Sequence, residues 1–291
     1  MICSSWKDYS VIATGGGEKL ERWGDIVLLR PDPQVIWDAP FELKSYKGLN
    51  ARYVRSSSGG GHWENYKPFP ESWTIVYNDL KFLIQPMGFK HTGLFPEQAL
   101  NWDKMIALIK NAKREIKVLN LFAYTGGATV ACAKAGAKVT HVDAAKGMVE
   151  RAKQNCALSG VAQDSVRYII DDCKKFVARE IKRGNRYDAV LMDPPSYGRG
   201  PSGETWKIED GIFSLVKLTK DVLSDDPLFF LINSYTTGLQ ASVMQNILQI
   251  ALGGAKGKYD SYEVCLATEQ SGIVLPCGNS AIFTADSSKK L

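Results

Sequence analysis

Histidine and cysteine are scarce in this chain, at three and six residues in 291. The cysteines (Cys3, Cys132, Cys156, Cys173, Cys265 and Cys277) form no Cys-x-x-Cys pair and stand near no histidine cluster. That pattern argues against a metal site and a disulfide framework, and it predicts a reducing, cytoplasmic setting. Long apolar runs are also lacking. The first residues hold no apolar core of secretory-leader length, and no later run reaches the ~20 residues that cross a bilayer, so no membrane association is expected. Neither sign of charge dominates: 36 Lys and Arg stand against 31 Asp and Glu. The resulting net charge of +5 favours a polyanionic partner mildly. No internal repeat or low-complexity tract is present, and the 45% hydrophobic content suffices for a sizeable core.

What is present divides near residue 90. Residues 1–90 hold five of the seven tryptophans and short β-prone runs at Asp25–Leu29, Gln34–Trp37, Trp73–Tyr77 and Leu80–Gln85. Turn signals lie between them at Arg30-Pro31-Asp32-Pro33 and Ser56–Gly61, and Tyr77–Lys81 predicts a hairpin. The segment reads as a small β-rich domain. The Ser/Gly stretch at 56–61 fits a surface loop better than a phosphate cradle, because no helix-forming segment follows it. Lys44, Lys47, Arg52, Arg55 and Lys67, interleaved with Tyr46, Tyr53, Trp63 and Tyr66, have the composition of a nucleic-acid surface and equally of a solvated β face.

A turn-rich loop over residues 85–98 then leads into a helical pattern at Glu97–Asn111. His91 in that loop reads as structural. From Ile116 onward strands alternate with helices. Strands are expected at Lys117–Phe122, Lys138–Val142, Val166–Ile170, Tyr187–Met192 and Leu228–Asn233. The helices expected between and after them are Ala128–Ala135, Lys146–Ser159, Lys174–Arg183, Ile208–Ser224 and Leu239–Leu252. Two further strands, Ser261–Thr268 and Ala281–Ala285, have no helix between them and are expected to be antiparallel. The whole predicts an α/β fold: a seven-stranded, mostly parallel, Rossmann-like sheet over residues 91–291, preceded by the β-rich domain.

The ligand follows from the first strand–helix–strand unit, KVLNLFAYTGGATVACAKAGAKVTHVD at Lys117–Asp143. A dinucleotide site wants Gly-x-Gly-x-x-Gly, and only Gly126-Gly127 is offered. A P-loop wants Gly-Lys-Ser/Thr, and the turn has no lysine. S-Adenosylmethionine needs a glycine turn, helix N-terminal amides for its carboxylate and an acid for its ribose diol, which Asp143 supplies. Asp171 and Asp172, ending the third strand, can accept from the adenine amino group. Asp193-Pro194-Pro195-Ser196-Tyr197-Gly198, ending the fourth, combines a carboxylate with two prolines that withhold backbone donors. A methyl acceptor can be oriented there, with Tyr197 stacking on a planar base.

Together these residues carry a resemblance. Thr92–Gln98, Val118–Gly127, Val142-Asp143, Asp171-Asp172 and Asp193–Ser196 make residues 92–285 similar to class I S-adenosylmethionine-dependent methyltransferases. Within that class they resemble the bacterial large-subunit ribosomal RNA (cytosine-C5) enzymes and their relatives, without an evident RNA-binding domain of the PUA type. The resemblance implies a cofactor site of Phe95, Glu97, Gln98, Phe122, Tyr124, Thr125, Gly126, Gly127, Asp143, Asp172 and Asp193. Asp193, Ser196 and Tyr197 would act on the acceptor, which is expected to be ribosomal RNA.

One departure bears on the chemistry. Cytosine C5 methylation needs a cysteine thiolate that attacks C6, which the family places after its fifth strand. Here that stretch reads Leu231-Ile232-Asn233-Ser234-Tyr235-Thr236, without cysteine. Direct transfer to an already nucleophilic atom is expected instead. A small-molecule or protein acceptor, and a non-catalytic cofactor-binding assembly factor, stand as alternatives. The target nucleotide and the oligomeric state, monomer or homodimer, stay open.

Overall fold

A computed structural model describes residues 1–56, 60–199 and 205–286. The expected loop at 56–61 therefore falls partly, at 57–59, outside the described residues. The chain forms two compact units, one of residues 1–100 with 265–277, the other of residues 101–264 with 278–291.

In the first unit, β1 (Ile2–Cys3), β2 (Tyr9–Gly15), β3 (Glu18–Trp23), β4 (Ile26–Pro31), β5 (Leu49–Arg55) and β6 (Gly61–Asn65) precede a hairpin of β7 (Trp73–Tyr77) and β8 (Leu80–Ile84). Strands β2 to β6 make one sheet in chain order, with β4 and β5 parallel. The expected hairpin is present, and Asn78 takes the left-handed conformation (φ 54°) in its turn. The strand expected at Gln34–Trp37 is not there. Its carbonyls serve a turn instead: Gly16 N–H donates to Trp37 O at 2.7 Å and Gly17 N–H to Val35 O at 2.8 Å. Asp32 Oδ1 accepts from Gln34 N at 3.2 Å, a local turn that competes with any ladder.

Strands β2, β3, β5 and β6 escape the sequence pattern. In β3 the reason is a buried ion pair. Arg30 donates two hydrogen bonds to Glu21, at 2.6 and 2.9 Å, and Tyr9 Oη adds a third at 2.7 Å. Burial pushes Glu21 up, but Arg30, Lys19 and Tyr9 outweigh it and hold the carboxyl at about 2.

Helix α1 (Ala99–Asn111) leads into the second unit. There the elements are β9 (Lys117–Leu121), α2 (Gly127–Lys134), β10 (Lys138–Asp143), α3 (Lys146–Leu158), β11 (Val166–Ile170) and α4 (Cys173–Arg183). Then come β12 (Ala189–Met192), a short hairpin of β13 (Tyr197–Arg199) and β14 (Thr205–Lys207), α5 (Ile208–Lys220), β15 (Phe229–Ser234), α6 (Ala241–Leu252), β16 (Gly257–Ala267) and β17 (Val274–Ala285). Helix α5 stops short of the expected Ser224. Residues 222–224 pair with Tyr187 instead, Tyr187 N–H donating to Val222 O and Ser224 N–H to Tyr187 O, both at 2.8 Å.

The seven expected strands lie in the order β16-β17-β15-β12-β9-β10-β11. β9 to β12 and β15 are parallel, and β17 runs antiparallel to β15. Ile2–Cys3 adds an eighth, parallel to Cys265–Leu266. Burial on both faces explains the continuous apolar runs: every residue of β12 and β15 is buried. Strand order reverses between β9, which leads on to β10 and β11, and β12, which leads on to β15. In open α/β sheets the crevice at the carboxyl ends of such neighbouring strands is where ligands bind.

Candidate functional site

The exit of β9 is held in an unusual backbone path. Phe122, Tyr124 and Gly126 all have positive φ, at 54°, 49° and 82°. For the two non-glycine residues that costs about 1–2 kcal/mol each, so the surroundings must impose it. Phe122 N–H points to Cys173 Sγ at 3.3 Å, Ala123 N–H to Val142 O at 3.1 Å and Gly126 N–H to Ala123 O at 3.0 Å. Asn155 Nδ2 donates to Thr125 O at 2.8 Å. Asp143 completes the arrangement: Oδ2 accepts from Tyr124 N and Oδ1 from Ala145 N, each at 2.8 Å. The acid at the end of β10 is thereby oriented by two backbone amides. Gly126 is closely packed, since a β-carbon there would lie 2.8 Å from Ala152 Cβ. Helix α2 starts at Gly127 with no side chain capping it, which leaves its first amides to an anionic group.

At the exit of β11 the two acids are partly committed to structure. Asp172 Oδ1 accepts from Lys175 N at 2.8 Å and caps α4. Asp171 Oδ1 accepts from Asp172 N, and Oδ2 pairs with Arg179. Asp171 N–H donates to Asp143 O at 3.1 Å, which ties this exit to that of β10.

At the exit of β12, Asp193 Oδ1 accepts from Asn233 Nδ2 at 2.9 Å, and Ser196 Oγ lies 2.6 Å from Thr236 Oγ1. Tyr197 pairs with Lys207 in the β13–β14 hairpin and is half exposed. Of the two proline carbonyls, that of Pro195 accepts from Trp206 Nε1 at 2.7 Å. Trp206 also stands 6.0 Å from the Phe122 ring, at 37° between planes. It joins the exits of β12 and β9. Gly211 makes the room, because a β-carbon there would lie 2.4 Å from the indole. Trp206 was not among the residues read from the sequence; a bulky aromatic and a glycine five residues apart, flanking the start of α5, was the available signal.

Phe95, Glu97 and Gln98 belong to the first unit. Phe95 precedes a 3₁₀ turn at Pro96–Gln98, Gln98 N–H donates to Phe95 O at 3.1 Å, and Glu97 is buried. The His91 ring lies 5.5 Å from that of Phe95. Burial, with Arg30, Lys90 and Lys19 nearby, pushes His91 down to about 4 and keeps it neutral.

All six cysteines are buried. Burial pushes Cys132 and Cys173 up to about 12 and Cys277 well above the usual range, so these thiols are poor nucleophiles. The positions after β15 are Tyr235 and Thr236.

These residues fit S-adenosylmethionine. An uncapped helix start suits its carboxylate and an amide-oriented aspartate its ribose diol, and no cation at the turn calls for phosphate.

The comparisons agree. A crystal structure of an S-adenosylmethionine-dependent methyltransferase from Agrobacterium tumefaciens is 32% identical, with a TM-score of 0.92 over 98% of this chain and 93% of that one. A protein solved in complex with S-adenosylhomocysteine shares the fold at a TM-score of 0.75 and 19% identity, over 97% of this chain and 76% of that one. Among curated relatives, ribosomal RNA large subunit methyltransferase I of Aeromonas salmonicida is 31% identical over 44% of this chain and 31% of its own length. The K/L enzyme of Pseudoalteromonas atlantica is 30% identical over 64% of this chain and 25% of its own. The chain thus spans only about a quarter to a third of these curated relatives. The family model for S-adenosylmethionine-dependent methyltransferases matches residues 35–235, and with the site described above it settles the assignment: the chain belongs to the S-adenosylmethionine-dependent methyltransferase family.

Proposed function

We propose that this chain transfers a methyl group from S-adenosylmethionine directly to a nucleophilic atom of an RNA base, with ribosomal RNA as the acceptor. When bound, the cofactor supplies an electrophilic sulfonium methyl. Asp143 binds the ribose diol, and the turn Tyr124–Gly127 with the start of α2 binds the carboxylate end. Phe122 and Asp172 flank the adenine; Phe95, Glu97 and Gln98 are the further cofactor residues that the family resemblance implies. Asp193 touches both cofactor and acceptor, and Ser196 and Tyr197 orient the acceptor base. What such chemistry asks of the protein is mainly proximity and in-line geometry.

The observation that carries direct transfer is the thiol inventory: each cysteine is buried, and Ser234-Tyr235 stands where a C5 enzyme needs its nucleophile. RNA is favoured by the names of the curated relatives and by the surface of the first unit. Lys44, Lys47, Arg55, Tyr66 and Lys67 are exposed there. Arg52 and Tyr53 drop out of that surface, the first ion-paired to Glu18 at 2.8 Å and the second buried. The test is nucleoside mass spectrometry of ribosomal RNA from cells lacking the gene. One methylated nucleoside should vanish and return with the wild-type chain but not with Asp193→Ala. An unchanged nucleoside profile would refute the RNA reading.

A further inference from the structure

We propose that Asn101, Ser280 and Asn233 are positioning residues for methyl transfer: they form a one-directional hydrogen-bond chain that orients Asp193 and favours its ionised form. The inference rests on the reading that Asp193 orients the acceptor. Within the second unit, Tyr262 Oη donates to Asn101 Oδ1 at 2.6 Å, and Asn101 Nδ2 donates to Ser280 Oγ at 3.0 Å. Ser280 Oγ then donates to Asn233 Oδ1 at 2.8 Å, and Asn233 Nδ2 to Asp193 Oδ1 at 2.9 Å. Asn101, Ser280 and Asn233 are 1%, 0% and 2% exposed. Three polar side chains so deeply buried must satisfy one another.

The direction of the chain is its informative property. Each amide can be turned over, and each hydroxyl can donate or accept. Within Tyr262, Asn101, Ser280 and Asn233 alone, the reversed chain would satisfy the same bonds. It would, however, present Asn233 Oδ1 to the Asp193 carboxylate, oxygen against oxygen. The charge on Asp193 therefore selects the observed polarity. Reciprocally, the aligned donors favour the carboxylate over the carboxyl and fix its rotamer. Core packing alone has no use for a chosen direction. A carboxylate that must meet an acceptor at one angle does.

The chain can be read without an acceptor. In the full-length protein with ¹⁵N-labelled asparagine, the side-chain amides of Asn233 and Asn101 should shift together as Asp193 titrates. Both shifts should vanish in Asp193→Asn, and only that of Asn233 should survive in Ser280→Ala. An Asn101 amide that ignores the titration, or one that still follows it in Asp193→Asn, overturns the proposal.

Transfer is then followed with deproteinised large-subunit ribosomal RNA from cells lacking the gene. Ser280→Ala should lower kcat about tenfold, the rate equivalent of one neutral hydrogen bond. Cofactor Kd should stay within twofold, Ser280→Thr should restore the rate, and Ser280→Ala should lose nothing further in an Asp193→Asn background. Equal losses in kcat and cofactor affinity, or additive losses in the double variant, would make the chain merely structural and overturn the proposal. Loss in Asp193→Asn with none in Ser280→Ala removes the positioning role alone. A wild-type rate in Asp193→Asn removes the reading of Asp193 and this role with it.

Discussion

Thr129 Oγ1 lies 2.9 Å from His141 Nδ1, a fully buried contact that ties the first turn of α2 to β10. Asn120 Nδ2 on β9 donates to the same hydroxyl at 2.9 Å. That hydroxyl, able to donate one hydrogen bond and accept two, serves both the amide of Asn120 and the imidazole of His141. The start of the helix that follows the glycine turn is thus fastened to two neighbouring strands. Thr129→Val keeps the shape and removes both bonds, leaving two buried polar groups unpaired. A loss of about 2–4 kcal/mol is expected, read as a lower urea midpoint with unchanged slope.

His141 also makes stability depend on pH. Burial pushes its pKa down to about 3, against about 6.5 in an unfolded chain. Between those values the unfolded state binds a proton that the folded state refuses. The contribution is therefore complete above pH 6.5 and is lost progressively as pH falls toward 3. Stability should drop by about 2 kcal/mol between pH 7 and pH 5 from this group alone. Urea titrations at both pH values should show that difference shrinking by a similar amount in His141→Gln.

Gly126 is constrained twice, by its φ of 82° and by Ala152. Gly126→Ala should reduce cofactor affinity more than tenfold in calorimetry, because the turn must shift to clear the methyl. Ala152→Gly in the same chain removes the obstructing group and should restore part of that affinity. If the pair behaves like the single variant, the strain lies in the backbone angle rather than the contact.

Trp206→Phe removes the bond to Pro195 O and keeps most of the ring. The fold should lose less than about 1.5 kcal/mol, the range of one neutral hydrogen bond. Methyl transfer should fall several-fold, with cofactor Kd little changed. Equal weakening of cofactor binding would place Trp206 on the cofactor side.

What the sequence made legible follows physical lines. Strands β12 and β15 were readable because burial on both faces makes them almost wholly apolar, and Asp143, Asp172 and Asp193 because each stands at the end of a strand. β3 was not, since Glu21 is a charge made tolerable by Arg30, which lies nine residues away and across a strand pair. Trp206 acquires its place from a carbonyl, and Asn101 and Ser280 from each other, none of which a pattern of residue types displays. A subtler mark was there: Asn120, His141 and Asn233 each interrupt an apolar strand, and each proves to anchor a buried polar network.

The first unit is finished by residues 265–277. Cys265 N–H donates to Met1 O at 2.9 Å, Glu269 N–H to Val11 O at 2.8 Å, and Thr14 N–H to Gln270 Oε1 at 3.2 Å. During synthesis, which delivers residues from the N-terminus at roughly 5–20 per second, residues 1–100 emerge well before residues 265–277, their partners in this unit. Their fold closes only when residues 265–277 have also left the ribosome. That delay leaves the β2–β6 sheet edge exposed for many seconds.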